Sequence, residues 1–349
     1  METTGRGETE KIAPETADVA RSRPLAGKRA WIISDGRAGH LAITLGIAEA
    51  LGTEAVVKQV EARWPLPLLA PWGPADQRFI NALLAEPWPA IALGAGRQTV
   101  PVMRALRRRS GGAIFTVIGQ DPKTGAGDAD LIWVPQHDGR RGANIIATLT
   151  PPHRFSPARL AALRKNLPAE IAALPSPRIA LFLGGAGGGY SWPATEIERF
   201  AQLLRTLAAQ GLSFLITSSR RTPPELARAA ERATAGAPRW LWSGGGENPY
   251  GAFLAHADAF IVTADSVNMA GEAAATGRPI HVFHPLGGRA KFQRYHAALQ
   301  AHGATRPLTE TGTLPGAWSY ASLDAAADVA AEIGRRWRPS PPRSCAQER

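Results

Sequence analysis

Cysteine is almost absent: the 349 residues hold one, Cys345. That excludes a disulfide framework and a cysteine-based metal site, and it makes a reducing cytoplasm the expected compartment. Long apolar runs are missing as well, since no stretch approaches the roughly 18 consecutive apolar residues of a membrane span. Residues 1–27 mix acids and bases without an apolar stretch, so the chain is expected to begin with a disordered leader and no signal or transit peptide. There is no Walker A motif, because no Lys-Ser/Thr follows the glycine run at 184–189. Nor is there a dinucleotide fingerprint: DGRAGH (35–40) is an incomplete G-x-G-x-x-G, and NAD is not expected. Helix-turn-helix, zinc-finger and RNP-like signatures are lacking too, which argues against nucleic acid as the partner of a chain with formal charge +11.

What is present is a folded composition, 44% hydrophobic and 20% charged. The length is generous for one core and suits two domains of about 150 residues. The positive charge points either to an anionic ligand or membrane surface, or to arginine used as the solubilising residue.

Short apolar runs recur at the length of buried parallel strands: 29–34, 54–60, 90–93, 113–118, 131–134 and 144–149. Helical stretches fall between them, such as 41–51 and 98–109. A Pro-containing linker follows at 151–177, with one helix expected over 158–174. The pattern then restarts with strands at 178–183, 213–217, 239–242, 259–263 and 280–283, separated by helices at 196–210, 224–234, 250–256, 267–276 and 291–302. Alternating strand and helix implies parallel sheets with right-handed crossovers. The expected fold is α/β, with two Rossmann-like domains facing a shared cleft: residues 28–150 on the acceptor side and 178–305 on the donor side. An extension at 306–337 ends in a helix over 323–337, able to pack on either domain, and residues 338–349 form a disordered tail.

Glycine and polar residues cluster directly after these strands, as in DGRAGH, GAGRQT (94–99), GQDP (119–122), PQHD (135–138), GGAGGGYSW (184–192), SSRRTP (218–223), GGGENPY (244–250) and ADSVNMAGE (264–272). Ligands of open parallel sheets bind outside the carboxyl ends of the strands, so the set reads as one site. Gly184, Gly185 and Gly187 are expected to let backbone N–H groups approach a phosphate. Asp265 or Ser266 is expected to cap a helix whose free N–H groups hold a diphosphate. Glu272 lies just under two turns beyond Ser266, placed to accept both hydroxyls of a ribose. Arg220 and Arg221 offer guanidinium forks to phosphate, and Asn248 lies on a further donor-side loop. In the first half, His40 at a helix start suits a general base, with Asp35 orienting or replacing it. Gly39, Arg97, Gln120, Asp121, His137 and Asp138 are the acceptor-side residues. Asp128-Ala129-Asp130 precedes a strand and is read as loop; no metal site or cofactor is expected.

The segment 63–72 (RWPLPLLAPW) makes a poor strand and a poor helix. Trp64 and Trp72 either pack on their own domain or form an interfacial wedge into a bilayer or a lipid-acceptor groove, with Arg104, Arg107, Arg108 and Arg109 meeting anionic headgroups.

WIISDGRAGHLAITLGIAEALG, GAGRQTVPV, PQHD, TSSRRTP, GGGENPY, TADSVNMAGEAAATGRPIHVF and KFQRYHAAL together resemble the mitochondrial-fission "elongated mitochondria" family, over about residues 29–305. The resemblance implies a GT-B glycosyltransferase-like fold, with a second half similar to the donor domain of the enzyme that makes lipid II. By that likeness Glu272 binds the nucleotide ribose, Ser266, Val267 and Asn268 meet the diphosphate, and the loop ending in His40 approaches the acceptor. The first loop departs from that enzyme, with Asp35-Gly36-Arg37 where a multi-glycine run would stand. The expected function is metal-independent, hexosyltransferase-type transfer from a nucleotide-sugar to a lipid or glycan acceptor of the cell envelope. That would take place in the cytoplasm or peripherally on the inner membrane. The alternatives are a nucleotide-sugar epimerase on the same fold and a non-catalytic membrane-associated scaffold, as the fission relatives imply.

Overall fold

The computed structural model describes residues 24–309, 314 and 316–339. Most of the expected leader and tail, including Cys345, lies outside them.

Two six-stranded, all-parallel sheets carry the fold. The first is built from β1 (Arg29–Ser34), α1 (Ala38–Leu51), β2 (Glu54–Gln59), α2 (Leu66–Leu69), α3 (Gln77–Ala85), β3 (Ile91–Ala95), α4 (Val100–Arg109), β4 (Phe115–Gly119), β5 (Leu131–Pro135) and β6 (Ile145–Thr148), in strand order β2-β1-β3-β4-β5-β6. Its central strands are buried on both faces, which is why they read as continuous apolar runs. Two clusters form the core. Ile32, Leu93 and Trp133 lie with α1, and Ile33, Met103 and Ile132 lie with α3 and α4. The indole Nε1 of fully buried Trp133 donates to Thr148 Oγ1 at 2.8 Å, so the ring is buried without an unmet polar atom.

Two short helices, α5 (Pro157–Arg164) and α6 (Ala169–Ala172), occupy the linker. The single helix expected over 158–174 is broken at Pro168, which lacks the N–H a continuous helix would need there. The second sheet comprises β7 (Arg178–Leu183), β8 (Tyr190–Ser191), α7 (Ala194–Ala208), β9 (Ser213–Ser218), α8 (Pro224–Ala233), β10 (Arg239–Leu241), α9 (Tyr250–His256), β11 (Ala259–Thr263), α10 (Val267–Ala274), β12 (Ile280–Phe283), β13 (Leu286–Gly287), α11 (Ala290–Ala301) and β14 (Thr305–Pro307). Its order is β10-β9-β7-β11-β12-β14, with β13 and β8 pairing separately as an antiparallel ribbon. The sixth strand, β14, was not expected, being three residues long and ending in proline.

The last helix, α12 (Ala325–Arg336), returns to the first domain, where Val329 and Ile333 enter the α1 core. Leu25 is buried in the same core, so Pro24–Gly27 forms an ordered turn rather than part of a disordered leader. The segment 63–72 also differs from expectation in containing α2. Asp128 and Asp130 act as structural anchors: Asp128 pairs with Arg104 at 2.7 Å and Asp130 with Arg107 at 2.8 Å.

Candidate functional site

Crevices open in parallel sheets where the strand order reverses. In the first sheet that point lies between β1 and β3, whose carboxyl ends carry Asp35–His40 and the turn at Gly96. In the second it lies between β7 and β11, carrying Gly184–Gly189 and Asp265–Asn268. The two carboxyl edges bound a cleft of about 550 Å³. Gln120, Asp121, His137 and Asp138 line one wall, and Gly188, Arg221, Ser266, Val267 and Asn268 line the other. The structure thus brings to one cleft four of the six acceptor-side residues expected from sequence (all but Gly39 and Arg97) and four of the ten expected on the donor side.

The glycine loop divides in two. Gly184 N–H donates to Thr263 Oγ1 at 2.8 Å, and Gly185 N–H donates to Asp265 Oδ2. A Cβ at Gly184 would collide with the Asp265 carboxylate, and one at Gly185 with the Arg221 backbone carbonyl. These two glycines serve close packing, and their N–H groups are spent, contrary to the expected phosphate role. The N–H groups of residues 186–189 find no acceptor among the described residues. Gly188 reaches the cleft with φ +62°, and Gly187 lies under the Arg221 guanidinium, with Nη1 3.0 Å from where its Cβ would be. The run of free N–H groups therefore begins two residues later than expected.

Asp265 does not cap α10, and neither does Ser266: no side-chain cap is present. The carboxylate turns back to Gly185 instead. Its other oxygen, Oδ1, is buried without a partner. Burial raises its pKa above the ordinary aspartate value, although the Gly185 N–H and Thr263 hydroxyl pull the other way. Of the arginine pair, Arg221 lines the cleft, whereas Arg220 is exposed outside it.

Glu272 sits on α10, partly buried, with Oε2 accepting a hydrogen bond from the Tyr250 hydroxyl. Burial lifts its pKa to about 7, against the Tyr250 hydrogen bond, which lowers it. It opens onto a crevice of about 10 Å³ between Gly39, Ile43, Pro151–His153 and Asn268, about the space of one water. Expected to accept both ribose hydroxyls, Glu272 is instead half-occupied by Tyr250 and walled off in this arrangement of the domains.

Asp35 Oδ2 and Oδ1 lie 2.9 and 3.1 Å from His40 Nδ1. A carboxylate only accepts, so Nδ1 carries the proton and Nε2 is left as the basic nitrogen. Gly96, at φ +92°, lies against the pair; a Cβ there would strike both side chains. Neither residue lines the 550 Å³ cleft, but neighbouring Gly39 closes on Asn268, whose Nδ2 lies 3.4 Å from the place a Cβ would take.

On the first-domain wall, burial raises the Asp121 carboxyl, but hydrogen bonds from Lys123 and Arg140 outweigh it and hold the pKa below the ordinary value. His137 is kept neutral by burial, its ring edge-on to Tyr295 at 5.4 Å and its Nδ1 unpartnered. Arg97 is not an acceptor contact here: Nε donates to Ala70 O at 2.9 Å and Nη2 to Leu68 O at 3.1 Å. Asn248 also lies elsewhere, lining a separate groove with Trp240 and Trp242.

Sequence reasoning missed Tyr250 as the partner of Glu272, and Lys123 and Lys291 as cations of the cleft. Lys291 stands 3.9 Å from Asp138 across the cleft, and Arg294 donates to His137 O at 3.1 Å. The signal was available, since both lysines follow strand carboxyl ends. Among the described residues no group of three or more His, Cys, Asp or Glu is placed to hold a metal ion, and no helix is long and apolar enough to cross a membrane.

Comparison with known proteins places this geometry. The chain is similar to a putative UDP-N-acetylglucosamine 2-epimerase of Listeria monocytogenes, with TM-score 0.51 and 13% identity, over 88% of this chain and 95% of that one. It is equally similar to the UDP-GlcNAc 2-epimerase of Methanocaldococcus jannaschii, solved in complex with UDP-GlcNAc and UDP, with TM-score 0.51 and 11% identity over 88% and 98%. At such identities these likenesses establish the fold, which is GT-B. By sequence, the chain is 29% identical over 278 residues to the mitochondrial fission protein ELM1 of Arabidopsis thaliana, covering 71% of this chain and 64% of that one. It is also 29% identical over 157 residues to the uncharacterized protein RP120 of Rickettsia prowazekii, covering 43% and 44%. The chain thus spans less than two thirds of the length of either relative. Residues 38–337 match the family described as mitochondrial fission ELM1, and the chain belongs to that family.

Proposed function

We propose that the cleft binds a nucleotide-sugar and transfers its sugar to a hydroxyl of a cell-envelope lipid or glycan. The observation that carries this reading is what the two domains present at their facing carboxyl edges, beside the cleft. A run of free N–H groups at 186–189, with Arg221 beside it, stands on one domain, and an oriented Asp35–His40 pair starts a helix on the other. In the reaction His40 Nε2 takes the acceptor hydroxyl proton, the acceptor oxygen bonds the anomeric carbon, and the bond to the diphosphate breaks. Asp35 stabilises the imidazolium that forms. The leaving diphosphate is met by the 186–189 N–H groups, the α10 N-terminus and Arg221, so the reading invokes no metal. Glu272 takes the ribose through its remaining oxygen once the domains part, as GT-B closure motions allow. Nucleotide-sugars and envelope acceptors meet at the cytoplasmic face of the inner membrane, which is where this reading places the chain.

A second reading has its own support, because one solved structure of this fold is that of a putative UDP-N-acetylglucosamine 2-epimerase and another that of a UDP-GlcNAc 2-epimerase. One assay separates them. The chain is incubated with radiolabelled nucleotide-sugars, with and without an envelope-lipid extract. Label passing to the extract, and lost in His40→Ala, supports the transferase. An epimerised donor formed without any acceptor supports the epimerase. Neither product with any donor would leave the fission-type scaffold as the reading.

A further inference from the structure

We infer that the segment Trp64–Trp72 is a docking surface for an anionic lipid bilayer, a proposal that stands whether or not the cleft transfers sugar. Trp64 is 81% exposed, Trp72 69%, Leu68 67% and Leu69 48%, within nine residues of chain. Apolar side chains so close in sequence ordinarily collapse onto their own domain. Here the backbone is held so that they do not. Arg97 takes the carbonyls of Leu68 and Ala70, and Arg104 takes those of Pro71, Trp72 and Gly73 while paired with Asp128. The result is a supported apolar knob, with tryptophans suited to the headgroup level of a membrane.

The charge around the knob selects the partner. Trp72 forms the rim of a groove of about 850 Å³ whose other walls include Arg104, Arg108, Arg109 and Lys123. Of the nearby acids, Asp76 is paired with Arg63, Asp128 with Arg104 and Asp130 with Arg107, which leaves Glu61 as the exposed acid beside the segment. Arg108 and Arg109 line that groove, are exposed and have no ion-pair partner among the described residues. Apolar side chains beside uncompensated guanidinium groups match acidic headgroups over acyl chains; a protein partner would need apolar complementarity without that charge excess. Lys123 lines both this groove and the interdomain cleft, so a docked headgroup would lie beside the cleft mouth.

The test is co-sedimentation of the full chain with vesicles of phosphatidylcholine alone, or containing about one-third phosphatidylglycerol, at low and high salt. The wild type should partition onto the anionic vesicles and be released by salt. Arg108→Ser and Arg109→Ser should each lower the partition coefficient about fivefold. Trp64→Ser with Trp72→Ser should lower it more than tenfold without moving Tm, since both rings are exposed; Leu68→Ser provides a second variant should that pair fold poorly. Failure of the wild type to sediment with anionic vesicles would overturn the proposal, as would a tryptophan variant that sediments like wild type. A dimer in size exclusion that Trp72→Ser dissolves, with no vesicle binding, would also overturn it and make the occupant a second copy.

Discussion

Asp35 Oδ2 lies 2.9 Å from His40 Nδ1, and the carboxylate side chain is only 5% exposed. A buried acceptor on Nδ1 fixes the imidazole tautomer and leaves Nε2 as the atom that exchanges a proton. Asp35→Asn presents an amide that can donate to Nδ1 and so moves the ring proton to Nε2. If His40 is the base, kcat should fall about 10²- to 10⁴-fold while nucleotide affinity is unchanged. Steady-state kinetics beside a direct binding titration checks this; an equal loss in both would mean the pair supports the fold and not the chemistry.

Gly185 packs where any side chain would meet the Arg221 carbonyl, a backbone atom with little room to yield. Gly185→Ala should destabilise the fold by about 1–3 kcal/mol. Gly245→Ala, whose Cβ would meet nothing within 4 Å, should leave the urea midpoint unchanged. Equal midpoints for the two variants would contradict the packing account of the loop.

Both of these sites show what the sequence makes legible and what it does not. Period and run length locate the buried strands well, because strands covered on both faces must be apolar throughout. The short edge elements β8, β13 and β14 bury too little to leave such a pattern. The loops after the strands were likewise legible as a site, and Arg221, Asn268 and His137 do share its cleft. Partner choice was not. Nothing in the local sequence says that Gly185 donates to Asp265 eighty residues away, or that Tyr250 occupies Glu272. Those contacts are set by crossovers between strands, and they moved the free N–H run, removed the expected cap and sent Arg97 to hold the Trp72 segment.

Glu272 makes stability depend on pH with a definite sign. Its folded-state pKa of about 7 exceeds the ordinary 4.5, so the folded chain holds a proton that the unfolded chain releases in between. This contribution is intact below about pH 4.5, declines as pH rises to about 7, and is flat beyond. Glu272→Gln, which still accepts from Tyr250, should match wild type at pH 4.5 and exceed it at pH 8 by on the order of 2–3 kcal/mol. Urea unfolding at the two pH values measures the difference; a variant no more stable than wild type at pH 8 would mean the carboxylate is well solvated.

Arg104 joins a partly buried carboxylate to three backbone carbonyls. Arg104→Ala strands Asp128 and should cost about 3 kcal/mol. Adding Asp128→Asn should restore part of that loss, because the uncompensated charge is gone. A double variant no more stable than Arg104→Ala would place the cost in the carbonyl contacts instead.

The central claim is that the second domain holds a nucleoside diphosphate through the 186–189 N–H groups and Arg221. Thermal stability against UDP, GDP, ADP, TDP and CMP, in wild type and Arg221→Ala, tests it most directly. At about 100 times its Kd a bound nucleotide should add roughly 2.7 kcal/mol, seen as a Tm rise of a few degrees. The account predicts that rise for one diphosphate, diminished in Arg221→Ala. No rise with any nucleotide would contradict it.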